Sequence, residues 1–307
     1  MKGVLKRIMY LPLDGLLHLL ALMPWWGLYV VSDFIYLLVY RIVGYRRKVV
    51  RRNLAESFPD KGKAELTRIE QDFYHFFADY FVETIKLLHV SDDEMRRHMV
   101  FHNVDIIDKY VDEGRAIMVY AAHYCNWEWL QSVTLWSRHY HDEKVVFGNV
   151  YRPLKNEWFD GLFLKIRNRF NTVCHAKKSV FRDLLKLQRD GKLPVTGFMS
   201  DQHPSVNESD HVVRFLNHDT AIITGSEILA RKLGYVVMYF EPHRIRRGYY
   251  ECYIRLITDD INSWPQYAIS DEYARRLEAQ ICDDPAAWLW THNRWKNKVT
   301  MSTTAKE

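Results

Sequence analysis

The sequence predicts an α/β protein: a mixed open sheet flanked by helices, preceded by an N-terminal membrane-associated helical segment. Apolar runs at 116–122, 144–150, 194–200, 235–240 and 250–257 have strand length. Helical stretches such as 155–169, 180–189 and 221–233 separate most of them, and alternation of this kind builds a sheet covered by helices. The last two runs are joined only by the short arginine-rich connection 242–249, which favours an antiparallel edge hairpin over a wholly parallel sheet. Residues 15–32 carry no Asp, Glu, Lys or Arg, and such a segment is long enough to span a bilayer.

The N-terminal stretch resumes after Asp33 with Phe34, Ile35, Tyr36, Leu37, Leu38, Val39 and Tyr40. Pro24, Trp25, Trp26 and Gly27 interrupt it with a helix-breaking, interface-type cluster, so a single tilted span and a shallow helical hairpin both stay open. Arg41, Arg46, Arg47, Lys48, Arg51 and Arg52 follow it and outnumber Lys2, Lys6 and Arg7 before it, which places the following domain in the cytoplasm by the positive-inside tendency. Asp14 and His18 inside the apolar region, and the lack of a small-x-small site, disfavour a cleaved signal peptide. Residues 1–45 are therefore read as a membrane anchor and 46–307 as one continuous domain with a helical N-terminal part. No repeat or low-complexity linker divides it.

Between 66 and 88, Phe73, Phe76, Phe77, Tyr80, Phe81, Thr84, Ile85 and Leu88 recur at helical spacing, marking an amphipathic helix whose aromatic stripe is expected in the core. A chain of 307 residues that is 48% hydrophobic supports a substantial core. Cys125, Cys174, Cys252 and Cys282 are scattered with no Cys-x-x-Cys pair, which argues against a disulfide framework or a zinc ribbon and for a reducing compartment. The net charge of +5 identifies no ligand by itself, and nucleic-acid modules, phosphate loops and dinucleotide fingerprints are missing.

The chemistry concentrates after the first predicted strand, in the run Ala121, Ala122, His123, Tyr124, Cys125, Asn126, Trp127, Glu128. Five residues on one helix would set two side chains roughly 140° apart, so His123 and Glu128 do not share a helix. His123 belongs to the strand-to-helix turn, and Glu128 to the first turn of an aromatic helix over 127–140. Ligands of open α/β sheets bind at the carboxyl ends of strands, where a histidine base held by an acid can meet a substrate hydroxyl. Two histidines four apart around a glutamate, as in metallohydrolase helices, are lacking, so no metal is expected.

This block resembles the His-x4-Asp/Glu motif of glycerolipid-type acyltransferases, and most closely that of the bacterial lipid A late (secondary) acyltransferase family. Arg51, Arg52, Asn53 and Leu54 with Ser57, Phe58 and Pro59 are similar to the family's N-terminal block. Tyr151, Arg152, Pro153, Leu154, Lys155 and Asn156 are similar to its second. Asp201 and Gln202 follow a later strand, and Pro285, Trp288, Trp290, His292, Arg294, Trp295 and Lys296 resemble the closing tryptophan-rich signature. The matches run in order over most of the chain. Cys125 departs from the pattern, standing where the family usually has glycine, a residue that allows positive φ or close backbone approach.

The resemblance implies a glycerolipid acyltransferase-like fold and transfer of a fatty acyl chain from an acyl-carrier-protein thioester, or coenzyme A, to a hydroxyl of a lipid A precursor, without metal or redox cofactor. His123 would act as base and Glu128 would orient its ring. Arg152 would bind phosphate or stabilise charge, with Asn126, Asn156 and Arg169 as further substrate-binding candidates, while Asp201 and Gln202 shape the cleft. Expected partners are acyl carrier protein, the lipid A precursor and membrane lipids, at the bacterial inner membrane with the catalytic domain facing the cytoplasm. The basic clusters at 41–52 and 243–247 suit anionic headgroups, a phosphorylated glycolipid or an acidic carrier protein. Two alternatives are an acyltransferase for another amphiphile, such as an aminolipid or a glycolipid, and a noncatalytic lipid-binding scaffold.

Overall fold

The computed structural model describes residues 2–204, 211–297 and 299. Its N-terminal third is helical: α1 (Lys2–Leu22), α2 (Trp25–Tyr36) continuing through a π-type turn (Leu37–Val43), α3 (Arg47–Ser57), α4 (Lys63–Lys86) and α5 (Asp92–His98). The α/β part follows as β1 (Met99–His102), α6 (Asp105–Asp112), β2 (Ile117–Ala121), a 3-10 helix (Trp129–Trp136), β3 (Val145–Tyr151), α7 (Glu157–Arg167), β4 (Thr172–Ala176), α8 (Val180–Arg189) and β5 (Leu193–Met199). A small hairpin of β6 (Val212–Phe215) and β7 (His218–Ala221) leads to α9 (Gly225–Leu233), β8 (Val236–Arg246), β9 (Tyr249–Thr258) and α10 (Ala268–Asp283).

Seven strands form one sheet in the order β1-β9-β8-β2-β5-β3-β4. All neighbours are parallel except β8 and β9, so the sheet is mixed and the predicted hairpin is present. The hairpin is not at the edge, because the short β1 pairs parallel with β9. Both faces of β2 are covered, and every residue from Ile117 to Ala121 is buried, which is why that strand reads as an unbroken apolar run. The stretch 127–140, expected as an α-helix, is instead a short 3-10 helix held by local bonds such as Ser132 Oγ to Trp129 O at 2.7 Å.

Right-handed crossovers divide the connections between the two faces. Moving along the sheet from β2 to β3 to β4, the 3-10 helix and α7 lie on one face, where Gln131 of the former meets Asn149 and Thr172 at 3.1 and 3.2 Å. Moving back from β4 to β5 to β8, α8 and α9 lie on the other, where Ser226 donates to Tyr120 Oη at 3.1 Å. Strand β5 therefore sits between β2 and β3, whose connections leave in the opposite direction to its own. Its carboxyl end is a topological switch point, where such sheets open a crevice.

The aromatic stripe of α4 is core as expected: Phe73, Phe76 and Phe77 are buried, while Phe81 is exposed. Against α4 pack α1 and α2, which meet at Pro24 as two helices. From Trp25 to Val43 the chain is 19 residues long and, by length and composition, apolar enough to cross a membrane. One face of it is occupied by protein: Leu28, Tyr36 and Tyr40 are buried, and Ser32 Oγ bonds Asp79 at 2.5 Å. The other face exposes Trp26, Val30, Phe34, Leu37, Leu38 and Ile42.

Candidate active site

His123 follows β2 and Asp201 follows β5, so the two residues face each other across the switch-point crevice. The imidazole Nδ1 lies 2.7 Å from Asp201 Oδ1, and the His123 amide donates to Asp201 Oδ2 at 3.1 Å. Trp288 Nε1 donates to the same oxygen at 3.0 Å. Burial would raise the Asp201 carboxyl, but the charge and hydrogen bonds of His123 and the Trp288 indole override it and hold it at about 2. An ionised Asp201 fixes the ring as the Nδ1–H tautomer, which leaves Nε2 as the proton acceptor. Gln202 places its side-chain nitrogen 3.2 Å from Nε2, and that amide donates to the free lone pair.

The expectation that Glu128 orients this ring is corrected. Both Glu128 oxygens are taken by Arg167, whose Nε and Nη2 donate at 2.9 and 2.6 Å, and Tyr80 Oη adds a third bond at 3.4 Å. Glu128 is buried, and its charge, with the hydrogen bonds, raises the Arg167 guanidinium against the lowering effect of burial. Sequence proximity suggested the pairing, but the turn carries Glu128 toward α7 instead. Asp201, expected only to shape the cleft, holds the imidazole from 78 residues away. A carboxylate directly after a buried strand was the available signal, since the carboxyl ends of strands meet at one edge of a parallel sheet.

The closing signature forms the underside of the catalytic turn. Tyr124 bridges to Trp288 as an isolated β-pair, the Cys125 amide donates to Ala287 O at 2.9 Å, and the Leu289 amide donates to His123 O at 3.2 Å. The N-terminal block joins there through Asn53 Nδ2, which donates to the carbonyls of Trp290 and His292 at 3.1 and 3.0 Å. Cys125 has φ of 52°, the left-handed region that glycine occupies without strain. Its thiol is buried and contacts Pro242 O, and burial pushes its titration well up, which disarms it as a nucleophile. Cys125→Gly is therefore expected to retain acyl transfer within about twofold of the parent, measured as kcat/KM; loss of transfer would give the thiol a part in the chemistry.

Three of the substrate-binding candidates are engaged with protein groups outside the cavity lining. Asn126 is buried and donates to Glu83 at 2.8 Å. Asn156 caps α7, accepting from the Trp158 and Phe159 amides, and donates to Tyr10 Oη. Arg169 bonds Val90 O and lies 3.8 Å from Asp92. Only Arg152 of the four lines the catalytic cavity. Most of the basic clusters are likewise engaged internally: Arg47 and Arg51 converge on buried Glu70, Arg244 on Asp284, and Arg247 on Asp33 and Asp79, while Arg46 donates to Thr291 O and Arg52 to Asn293.

Behind the turn, Glu83 receives Asn126 at 2.8 Å, Tyr250 at 2.9 Å and Tyr29 at 3.2 Å. Burial and the Asp79 charge outweigh these donors and raise it to about 7. An unfolded glutamate titrates near ~4.3. Between those values the native state holds more protons than the unfolded one, so stability falls as pH rises toward 7. Thermal denaturation from pH 5 to 8 is expected to show a loss of about 3 kcal/mol that Glu83→Gln removes; a variant with the parent's pH dependence would exclude this source.

The cavity over the crevice measures about 880 Å³, and its lining combines His123, Gln202 and Arg152 with the apolar side chains of Val119, Leu130, Val133, Phe147, Phe163 and Val195. No group of His, Cys, Asp and Glu among the described residues could hold a metal ion. A carboxylate-held base lining a largely apolar cavity can take the proton of a hydroxyl beside a bound hydrocarbon chain.

The chain matches the model of the bacterial lipid A biosynthesis acyltransferases over residues 6–297 and belongs to that family. It is 21% identical to the lipid A biosynthesis palmitoleoyltransferase of Escherichia coli K12 over 261 residues, covering 82% of this chain and 79% of that one. It is 23% identical to the lipid A biosynthesis lauroyltransferase of the same organism over 285 residues, covering 92% and 90%. The chain is an acyltransferase enzyme.

Proposed function

We propose that this enzyme transfers a fatty acyl chain from an acyl-carrier-protein thioester to a hydroxyl of a lipid A precursor at the membrane surface. The hydrogen-bonded pair of Asp201 and His123 opening on an apolar cavity carries this reading, together with the family membership. His123 Nε2 takes the proton of the acceptor hydroxyl while its oxygen attacks the thioester carbonyl carbon. The tetrahedral intermediate then expels the thiolate, which receives that proton from the imidazolium. Asp201 stabilises the imidazolium by its charge and keeps the ring in register. The acceptor hydroxyl displaces the Gln202 amide from Nε2; Arg152 and the released amide then supply donors for the developing oxyanion, and the N-terminus of α9 at Gly225 and Ser226, also on the cavity wall, adds its dipole.

The exposed face of α2 supports attachment to one leaflet, with the helix lying in the interface and its other face on α4. A span that crossed the bilayer would abandon the Ser32–Asp79 bond and the Arg247–Asp33 pair to hydrocarbon. Tyr10 of α1 stacks on Trp158 at 4.8 Å, and exposed Leu154 on the cavity rim sits in the loop leading to α7, so a lipid surface against α1 borders the cavity entrance.

The assay is acyl transfer by the detergent-solubilised full chain, using acyl-carrier-protein thioesters of graded chain length and lipid A precursors, with the lipid product read by mass spectrometry. A new ester on the precursor supports the assignment. Transfer only to another amphiphile would replace the acceptor, and no transfer by folded protein would leave a lipid-binding scaffold. Chain length has its own handle. Gly197 lies on the cavity floor, where an added Cβ would meet nothing closer than Gly148 O at 3.8 Å. Gly197→Val is expected to fold normally and to shorten the preferred chain, cutting kcat/KM for the parent's best chain roughly tenfold at ~0.8 kcal/mol per displaced methylene. An unchanged chain-length profile would move the donor chain away from this floor.

A further inference from the structure

We propose that the sheet face carrying α8 and α9 holds a second hydrocarbon groove, which receives an acyl chain already attached to the acceptor lipid while the donor chain lies on the opposite face. This rests on the acyl-transfer reading above and assigns each substrate to its own face.

The cavity is lined by consecutive strand residues. Side chains of a strand alternate between faces, and register partners share one: Val119 pairs with Gly197, which pairs with Asn149. Val195 and Gly197 of β5 therefore face the 3-10 helix and α7, while Phe198 and Ser200 face α8 and α9. On β3, Phe147 and Asn149 take the first side and Val150 the second. All of these line the same cavity, so it passes from one face of the sheet to the other. The passage is visible in the ladder. Pairing of β3 with β5 ends at Asn149 and Gly197, although the strands continue to Tyr151 and Met199. The last two residues of each strand part at the switch point, beside His123.

The two arms differ in enclosure. On the first face, Leu130 and Val133 roof the cavity and are buried, which suits one unbranched chain threaded in from its thioester end. On the second face, Val150 and Phe198 form the floor, and the walls include Phe181 of α8 and Ile228 of α9, which are 45% and 38% exposed. A groove open along its side admits a chain whose other end carries a headgroup too bulky to thread. Both arms converge on His123, as they must if the acceptor oxygen is to reach the donor carbonyl carbon.

Two measurements test this on the full chain in detergent. Ile228→Asp and the milder Phe181→Ser, both at partly exposed positions, are expected to raise KM for an acylated lipid A precursor at least tenfold while leaving KM for the acyl-carrier-protein donor within twofold. An unchanged acceptor KM, or a rise in donor KM instead, would overturn the assignment. Independently of turnover, hexadecanoic acid bearing a terminal diazirine is photolysed on the folded protein and the labelled peptides are mapped. Label on both 129–136 and 225–233, with the latter lost in Ile228→Asp, supports two grooves. Label confined to 129–136 overturns the second. Two labelled peptides without transfer to any acceptor would instead fail the acyl-transfer reading and leave the groove standing.

Discussion

Asp201→Asn is expected to lower kcat for acyl transfer by about 10²–10⁴-fold with KM for both substrates nearly unchanged, as deep a loss as His123→Ala. The asparagine side chain is isosteric, and its oxygen can still accept from Trp288. Its amide nitrogen, however, presents a donor to Nδ1, which drives the ring proton to Nε2 and blocks the atom that must receive the hydroxyl proton. The imidazolium formed during attack also loses its counter-charge. Because the Asp201 carboxyl is held at about 2 in the parent, it stays ionised throughout the working range and its counter-charge is present at every pH assayed. Steady-state kinetics from pH 5 to 9 decide this; an asparagine variant retaining more than a tenth of the parent kcat would remove Asp201 from the mechanism.

Arg167→Met is expected to be the most destabilising single change at the site. It leaves the buried Glu128 carboxylate with only the long Tyr80 bond, and stranding a buried charge costs about 3–5 kcal/mol, or roughly 5–15 °C in melting temperature for a domain of this size. Glu128→Gln keeps a neutral partner for Arg167 and should cost less. The double variant should recover part of the Arg167→Met loss, since the two residues act as one pair. If Glu128 instead oriented the imidazole, Glu128→Gln would lower kcat as Asp201→Asn does and leave thermal stability alone. Calorimetry and steady-state kinetics of the same protein separate the two roles.

The sequence makes parts of this site legible and hides others for physical reasons. Strands β2, β3, β5, β8 and β9 are apolar enough to stand out, whereas β4 at the sheet edge has no regular alternation and buries the polar Thr172 and His175, so it reads as loop. The four-residue β1 follows directly on α5, and β6 and β7 carry Arg214 and Asp219. His123 is legible because it ends a run of apolar residues, and Arg152 because its block resembles the family's. The ring's true partner is not, since its proximity depends on the order of strands in the sheet, and periodicity is silent on order. Asn126 and Asn156 attract attention as polar residues in quoted blocks, yet each serves nearby protein groups: one a buried carboxylate, the other a helix cap.

The segment after α10 also has a consequence for when the enzyme can work. Trp288, Leu289 and Ala287 hold the backbone and the carboxylate that define the base, and they are synthesised long after the turn they support. A nascent chain that has already formed β2 to β9 still lacks the clamp on its catalytic turn. Such a chain, with its apolar N-terminal helices already outside the ribosome, is not yet competent to transfer anything. Competence then arrives only when Ala287 to Leu289 have emerged, and any ribosomal product truncated ahead of Pro285 would be an inert copy.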